Sequence, residues 1–468
     1  MIIHDDNADY YIFTICMCCF YLHKLRLRLD LRDMQQFQTL PGFRDFYPKD
    51  CFIRNYIFSK FRETATSYGF EEYDAPILEP TELFTTKSGN EIISQLFNFK
   101  DKGDRDISMR PEMTPSLVRM VCEHSNAMKK PIKWFNIGEA FRYERPQKGR
   151  LRSFYQFNVD MFGDKSPYAD AEVIALAIGA LTSFGLSDND FHVRLSDRQL
   201  WSLFIKGCGI KDDQIPPILS VIDKIEKEAP DKIIEQLDNI VRGSGHKMFE
   251  KISAIKEIHS VKDAEEVFSK NTIISINIID RLQELDQLLS RLSAFGVSNY
   301  ITIDFSIVRG LAYYTGFVFE IFEKFGEARA LAGGGRYDDL SQKLGYEILP
   351  AVGFAIGDVT LGNLLQEKNL LPKFEKKVKY FMVYSDSTEK IALSTATHLR
   401  KNGICTEFSI EKNSFSKQLK LASQSGAKYA LIFGEDECSS GNVKIKNMSN
   451  GTESITPISE FLQDLPYE

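Results

Sequence analysis

The side chains best suited to chemistry lie in two strings about 150 residues apart. The first, FRYERPQKGRLRSFYQFNVDMFG, has Glu144 as the only acid among its basic residues. Five basic side chains fall within eleven residues: Arg142, Arg145, Lys148, Arg150 and Arg152. Proline and glycine interrupt this stretch, while its aromatic flanks favour strands. The string therefore predicts a hairpin with a mobile cationic tip, and arginine forks of this kind bind phosphate. A solvated basic loop is the ordinary alternative.

The second strand of that hairpin adds two polar side chains, Gln156 and Asp160. They are four residues apart, so they lie on one face of a regular strand. A carboxylate among buried aromatic residues needs a partner, and a bound ammonium group would supply one.

The second string, IVRGLAYYTG, places Arg309 in an apolar and aromatic segment. A buried arginine is rarely without an anionic partner. The alternatives are a structural ion pair and the stabilisation of a phosphoryl group. Tyr313 and Tyr314 supply flat walls and hydroxyls for a pocket that binds a ring, although paired tyrosines are more often core residues.

Upstream, MRPEMTPSLVRM predicts the start of a helix, with Thr114 as its cap and Pro115 at the first helical position. That structure does not explain Glu112, which we therefore assign to function. Downstream, PAVGFAIGDVTLGNLL predicts a strand that runs into a helix, where Gly353 and Gly357 permit close approach of a nucleotide. The chain has neither a Walker A sequence nor a GxGxxG after a first strand, which excludes P-loop and Rossmann sites.

Together these strings resemble the class II histidyl-tRNA synthetases from about Leu40 to the C-terminus. The family's order is kept: PGFRDFYP, YDAPILEPTELF, MRPEMTP, the basic string, RGLAYYTG, GGGRYD and the final strand and helix. The resemblance implies a ligase that activates L-histidine with ATP and Mg²⁺ and transfers it to the 3′ end of tRNA(His). It also implies a homodimer formed through the segment from Pro76 to Leu83.

The site residues of the family transfer to this chain by position. The implied catalytic residues are Arg142 and Arg309, both on the ATP α-phosphate. The implied histidine-binding residues are Glu112, Thr114, Gln156, Asp160, Tyr313, Tyr314 and Tyr337. The implied ATP-binding residues are Arg142, Glu144, Arg150, Arg309 and Gly357. The implied contacts to the tRNA acceptor stem are Arg145, Gln147, Lys148 and Arg152.

Three positions depart from the family pattern. Ala312 stands where the family has aspartate, and Pro41 stands where a basic residue often helps to read the extra 5′ nucleotide of histidine tRNA. The family's Gly-x-Glu-Arg-Leu becomes GDVTL, so Thr360 replaces the arginine expected at the ATP γ-phosphate. The resemblance therefore predicts weaker ATP binding or a nearby basic residue that substitutes.

The predicted fold class is α/β, in five parts. Residues 1–33 form a non-native or disordered extension, and translation is expected to start at Met34. Acidic residues precede the short apolar run of this extension, whereas a signal peptide would carry positive charge there. Residues 34–197 and 299–372 form an α+β catalytic domain with an antiparallel sheet, interrupted by a mostly helical insertion at 198–298. Residues 373–468 form an α/β anticodon-binding domain, with β-α-β-α-β-β order and a largely parallel sheet.

Composition limits the partners of the chain. A net charge of −7 on 468 residues means that nucleic acid must be bound by local patches. The eight cysteines show no pattern of a zinc site, so we predict no metal held by the protein alone and a reducing cytoplasmic location. No apolar run reaches the ~18 residues of a membrane span.

Three other functions remain open from the sequence. A regulatory paralogue of the synthetase in ATP phosphoribosyltransferase would suit the altered final motif, but Arg309, the tyrosines and the C-terminal domain argue against it. A synthetase for another amino acid, such as proline or threonine, is disfavoured by RPQKGR and RGL. An RNA-binding protein with an inactive site would leave Glu112 and Gln156 without a function.

Overall fold

The computed structural model describes residues 37–463 except 86–89, 148, 227, 274, 309–312, 326–329 and 375, and only the backbone of 90–92. The described residues divide into two compact units, one ending at Leu371 and one beginning at Pro372. The predicted extension at 1–33 and the predicted start at Met34 lie outside the described residues. No helix within the described ranges is long and apolar enough to cross a membrane.

The first unit combines two sheets with many helices. Its strands are β1 Glu71–Glu72, β2 Leu78–Pro80, β3 Asn98–Lys100, β4 Asp106–Met109, β5 Ile132–Phe141, β6 Ser153–Phe162, β7 Phe191–Asp197, β8 Ile301–Ile303, β9 Phe317–Glu323, β10 Ala330–Arg336 and β11 Ala351–Gly357. Its α-helices are Pro48–Ser67, Thr81–Thr85, Asn90–Gln95, Thr114–His124, Pro167–Thr182, Arg198–Gly207, Ile215–Ile222, Pro230–Ile240, Gly245–Lys256, Val261–Asn271, Ile276–Ala294, Leu340–Lys343 and Asp358–Glu367.

The main sheet of the described residues has eight strands in the order β1-β5-β6-β11-β10-β9-β7-β8. The two outermost junctions are parallel, and the others are antiparallel. A smaller sheet has the order β2-β4-β3. The predicted α/β class with an antiparallel catalytic sheet is confirmed.

The predicted hairpin is formed by β5 and β6, which pair from Ile132 opposite Phe162 to Phe141 opposite Ser153. Because side chains alternate along a strand, β6 presents Phe157 and Val159 to the main apolar core and Gln156 and Asp160 to the opposite face. The predicted common face of Gln156 and Asp160 is therefore confirmed.

The helical segment between β7 and β8 packs on the same core as the sheet. Apolar side chains of its helices, including Trp201, Phe268 and Leu285, belong to one continuous buried cluster with Phe157. The Trp201 indole also donates a hydrogen bond to the Phe305 carbonyl at 2.9 Å, close to the end of β8. The apolar residues that recur at helical spacing in this segment thus form the helix faces that pack on the core beside the sheet.

The second unit contains a five-stranded sheet in the order β13-β12-β14-β15-β16. Its strands are β12 Tyr380–Tyr384, β13 Thr406–Phe408, β14 Tyr429–Phe433, β15 Asn442–Asn447 and β16 Glu453–Pro457, and its helices are Glu389–Lys401, Phe415–Ser425, Glu435–Ser439 and Ile458–Gln463. The first three strands are parallel, as expected, but β15 and β16 are antiparallel. The prediction missed β16 because it is polar and exposed, without an alternating pattern.

A buried ion pair joins the end of β10 to the helix Pro167–Thr182. The Arg336 side chain is 4% exposed, and its Nε donates to both carboxylate oxygens of Asp170 at 3.1 Å. The other guanidinium nitrogens reach the Asp164 carbonyl at 3.0 Å, the Ser166 carbonyl at 3.2 Å and Asp338 Oδ1 at 3.2 Å. Such complete pairing is what makes a buried charge tolerable.

We expect Arg336→Ala to lower the free energy of unfolding by about 3–5 kcal/mol, because the Asp170 carboxylate would stay buried without its partner. Urea unfolding followed by tryptophan fluorescence measures this, since Trp134 and Trp201 both lie in the first unit. Arg62→Ala is the control: it removes an exposed pair with Glu72 and should cost about 0–1 kcal/mol. Equal losses in the two variants would contradict this role of Arg336.

Candidate active site

A cavity of about 330 Å³ opens on the face of the main sheet formed by β6, β10 and β11. Polar and charged residues make up much of its wall. These are Glu112, Thr114, Arg142, Glu144, Arg150, Gln156, Asn158, Asp160, Tyr313, Tyr314, Tyr337, Asp358 and Thr360. Apolar side chains, among them Leu151, Phe154, Leu331 and Phe354, form the rest of the wall, so the cavity suits a ligand with both charged and apolar parts.

One part of the cavity pairs two carboxylates with two tyrosines. The Tyr313 hydroxyl donates to Glu112 Oε2 at 3.0 Å, and the Tyr337 hydroxyl donates to Asp160 Oδ1 at 2.5 Å. The Tyr313 and Tyr337 rings meet edge to face, with centroids 5.9 Å apart. All four side chains are buried. Two carboxylates at this depth define a site for a cationic group.

Burial raises the pKa of Asp160 to about 7, a net result that includes the lowering effect of the hydrogen bond from Tyr337 and the raising effect of the nearby Glu112 charge. The pKa of Tyr337 is raised well above its usual value, chiefly by burial and then by the Asp160 charge. A cation bound beside Asp160 would favour its ionised form, so binding and deprotonation are linked.

The position of Asp160 depends on a glycine in the neighbouring strand. Gly353 is paired directly with Asp160, and a Cβ at Gly353 would lie 2.0 Å from Asp160 Oδ1. The space that a side chain at Gly353 would need is therefore occupied by the carboxylate, and close approach of a nucleotide to the Gly353 backbone stays a prediction. At Gly357 the nearest atom to a Cβ is Thr360 Oγ1 at 3.8 Å, so the backbone there is open to the cavity.

The basic residues of the hairpin lie towards its loop. Arg142 lines the cavity, and its Nε donates to the Pro111 carbonyl at 3.0 Å. Arg150 also lines the cavity, with its Nε 2.7 Å from Glu144 Oε2. Two guanidinium groups beside one carboxylate leave this part of the wall with a net positive charge, suited to a phosphate.

The hairpin tip is a tight turn closed by backbone hydrogen bonds between Gln147 and Arg150, at 3.0 and 2.9 Å. Arg145 and Gln147 are exposed outside the cavity, whereas Lys148 lies outside the described residues. Arg152 is used within the loop: its Nε donates to the Glu144 carbonyl at 3.1 Å, and its guanidinium carbon lies 4.3 Å from the Tyr143 ring centroid.

The helix Asp358–Glu367 begins at the cavity wall and carries the altered motif. Asp358 Oδ2 accepts from Arg44 Nη2 at 2.7 Å, and Asp358 Oδ1 accepts from the Tyr155 amide at 2.8 Å. Val359 and Thr360 follow on the wall. The first turn of a helix supplies amide donors and a positive dipole end, which favour an anion.

Most of the predicted site residues line this cavity, but Arg145, Gln147 and Arg152 do not. Arg309 and Ala312 lie outside the described residues, so the role of Arg309 stays a prediction. Thr114 lines the cavity but does not cap its helix, because the helix starts at Thr114 itself after Met113. The prediction missed Phe154 and Asn158. Each lies two residues from Gln156 along β6 and therefore on the same face of the strand, so the spacing alone could have identified them.

The fold is that of an aminoacyl-tRNA synthetase. The structure of the apo histidyl-tRNA synthetase of S. aureus matches with a TM-score of 0.66 at 25% identity, over 92% of this chain and 99% of that one. The enzyme of Nostoc sp. PCC 7120 gives 0.73 at 23% identity, over 92% and 100%. A Bacillus halodurans protein described as an ATP phosphoribosyltransferase regulatory subunit/histidyl-tRNA synthetase gives 0.68 at 22% identity, over 83% and 97%. Fold alone therefore does not separate synthetase from regulator.

Sequence comparison makes that separation. The profile of the histidyl-tRNA synthetase family matches residues 42–360, and that of the anticodon binding domain matches 373–466. The histidine–tRNA ligase of Opitutus terrae is 46% identical over 91% of this chain and 97% of its own length, and that of Leptospira biflexa is 38% identical over 92% and 98%. The chain belongs to the histidyl-tRNA synthetase family. The predicted histidine–tRNA ligase activity is confirmed, and the regulatory alternative is not favoured.

We expect Gly353→Ala to destabilise the protein by about 1–3 kcal/mol, because the new methyl group would collide with the Asp160 carboxylate. Gly362→Ala is the matched control, since a Cβ there meets no atom within 4 Å on the helix Asp358–Glu367. That change should stabilise by up to about 1 kcal/mol. Urea unfolding of both variants decides the point, and a neutral Gly353→Ala would contradict the steric argument.

Proposed function

We propose that histidine and ATP bind end to end in the cavity, where the histidine carboxylate attacks the α-phosphorus and pyrophosphate leaves. The observation that carries this proposal is the division of charge along one wall. Carboxylates and tyrosines surround Asp160, while Arg142 and Arg150 lie towards the loop of the same hairpin. From Phe154 to Asp160 an extended strand spans about 20 Å, enough for both substrates in line.

The acidic part binds histidine. Gln156 and Asp160 hold its amino group, Glu112 and Thr114 make further polar contacts, and the three tyrosines enclose it: Tyr313, Tyr314 and Tyr337. A site that satisfies the polar groups of histidine rejects apolar amino acids strongly, because its own buried groups would then be left unpaired.

The basic part binds ATP. Arg142 and Arg309 stabilise the charge that grows on the α-phosphate, and Glu144, Arg150 and Gly357 complete the nucleotide site. Mg²⁺ prefers oxygen ligands, usually one or two carboxylates with substrate phosphates. The two carboxylates near the basic residues of the described wall are both paired with arginines, Glu144 with Arg150 and Asp358 with Arg44, so Mg²⁺ would be held chiefly by the ATP phosphates. The ion would neutralise phosphate charge.

The remaining partners follow from the same proposal. Arg145 and Gln147, which are exposed at the hairpin tip, contact the acceptor stem of tRNA(His) together with Lys148, and basic side chains there bind phosphates. Arg152 supports the loop that carries them, through Glu144 and Tyr143. We further propose a homodimer through the segment from Pro76 to Leu83 and a cytoplasmic location.

Amino-acid-dependent ATP–pyrophosphate exchange across the twenty amino acids tests the proposal. We expect exchange with histidine only, which would also show that Thr360 is compatible with ATP binding. A folded protein that exchanges with no amino acid would contradict it. Exchange with proline or threonine would contradict the assignment of the acidic part to histidine.

We expect Asp160→Asn to raise the KM for histidine about 10- to 100-fold while leaving the KM for ATP nearly unchanged. Because Asp160 must be ionised to bind an ammonium group and its pKa is raised to about 7, kcat/KM for histidine should fall as the pH drops below 7. Pyrophosphate exchange from pH 5.5 to 9 measures both. Asp160→Asn should lack this component, leaving only the titration of histidine itself. Identical profiles for the two proteins would refute the role of Asp160.

A further inference from the structure

The Tyr73 side chain is a buried polar group that the proposed mechanism does not use. It follows β1, and its backbone amide donates to the Phe135 carbonyl at 2.9 Å. Its side chain is packed in the same apolar cluster as Tyr313 and Tyr337. Its hydroxyl oxygen is buried and has no hydrogen-bond partner within the described parts of the chain. A hydroxyl in that state is costly, so its retention points to a polar contact made in the working protein.

The sheet register places Tyr73 next to Asp160. The Tyr73 ring packs against the Trp134 indole, with centroids 5.6 Å apart. Trp134 is the direct partner of Asp160 in the β5–β6 pairing, and such partners share a face with Cβ atoms about 5 Å apart. The Asp160 charge is, after burial, the next cause that raises the pKa of Tyr73, in keeping with their proximity. Tyr73 thus lies after β1 and packs on Trp134 of β5, on the β5 side of Asp160, whereas Tyr337 approaches Asp160 from the end of β10.

We propose that Tyr73 is a positioning residue for histidine activation: its hydroxyl donates to the Asp160 carboxylate, directly or through one water, and supports the ionised form that binds histidine. This inference rests on the proposed role of Asp160. With Tyr337 as the first donor, the carboxylate then has two phenolic donors that offset its burial among apolar side chains.

Other charged groups act on Asp160 or on Tyr73. Glu112 approaches from the segment before the helix Thr114–His124 and opposes ionisation of Asp160. Arg110, from the end of β4, lowers the pKa of Tyr73, and the adjacent Asp74 raises it. Donation from Tyr73 therefore acts against the Glu112 charge, and its loss should move the titration of Asp160 upwards.

The test is the pH profile of kcat/KM for histidine in pyrophosphate exchange, at saturating ATP, for the full-length parent, Tyr73→Phe, Asp160→Asn and Tyr68→Phe. Tyr73→Phe keeps the ring and removes only the hydroxyl. We expect its midpoint to rise by about one pH unit, so that kcat/KM falls about tenfold at pH 6 and approaches the parent value at pH 9. The KM for ATP should stay within about twofold, since the ATP contacts are untouched.

Tyr68→Phe is the matched control. Its hydroxyl donates to the Ala175 carbonyl at 3.3 Å, and its ring packs on the apolar cluster of Phe157 rather than on that of Tyr73. Melting temperatures separate stability from titration, because loss of a hydroxyl with only a structural role changes the melting temperature without moving the midpoint. A parental midpoint in Tyr73→Phe, with an altered profile in Asp160→Asn, would overturn this inference alone. A parental profile in Asp160→Asn would overturn the proposed role of Asp160 and this inference with it.

Discussion

The buried pairing of Arg336 with Asp170 is the constraint on which the site depends. The Arg336 guanidinium donates its hydrogen bonds to oxygen atoms of three regions: the helix Pro167–Thr182, the chain just before that helix, and Asp338. Asp338 in turn accepts from the Ala351 amide at 3.0 Å, and its own amide donates to Thr315 Oγ1 at 3.1 Å. One charge therefore connects the end of β10, the start of β11 and the segment that carries Tyr313 and Tyr314. Since Tyr337 directly follows Arg336, this pair helps to hold the part of the cavity that contains Tyr337 and Asp160.

Two carboxylates, Glu112 and Asp160, lie close together in the buried part of the cavity. Glu112 and Asp160 are close enough to influence each other's ionisation, which is unfavourable in the free protein. The tyrosine hydroxyls offset part of that cost by donating to each carboxylate. A bound ammonium group would offset the rest, so the pocket is arranged for a ligand rather than for stability of the empty state.

The altered final motif has a structural consequence at its first residue. Asp358 is buried and held by Arg44 and by the Tyr155 amide, which ties PGFRDFYP, β6 and the start of the last catalytic helix together. Burial raises the pKa of Asp358, against the Arg44 charge. Where the family pattern has an arginine for the γ-phosphate, this chain presents Thr360 and the first-turn amides, with Arg150 across the cavity. In the proposed binding mode, phosphate binding relies on the helix terminus and the hairpin.

Much of this protein was determined by local sequence. Alternation along β6 was enough to place Gln156 and Asp160 on one face, and helical periodicity identified the segment between β7 and β8. The motifs and their order were enough to indicate the family, because several specific motifs occur along the chain in the order that the family keeps. Other features were decided only by tertiary contacts. Gly353 leaves space for the Asp160 carboxylate because the pairing of β11 with β6 places the two residues opposite each other. Packing of the Tyr73 ring on Trp134 brings Tyr73 near the same carboxylate. The residue pattern within one strand does not encode such contacts. They join residues that are distant in sequence and become neighbours only through the order of strands in the sheet.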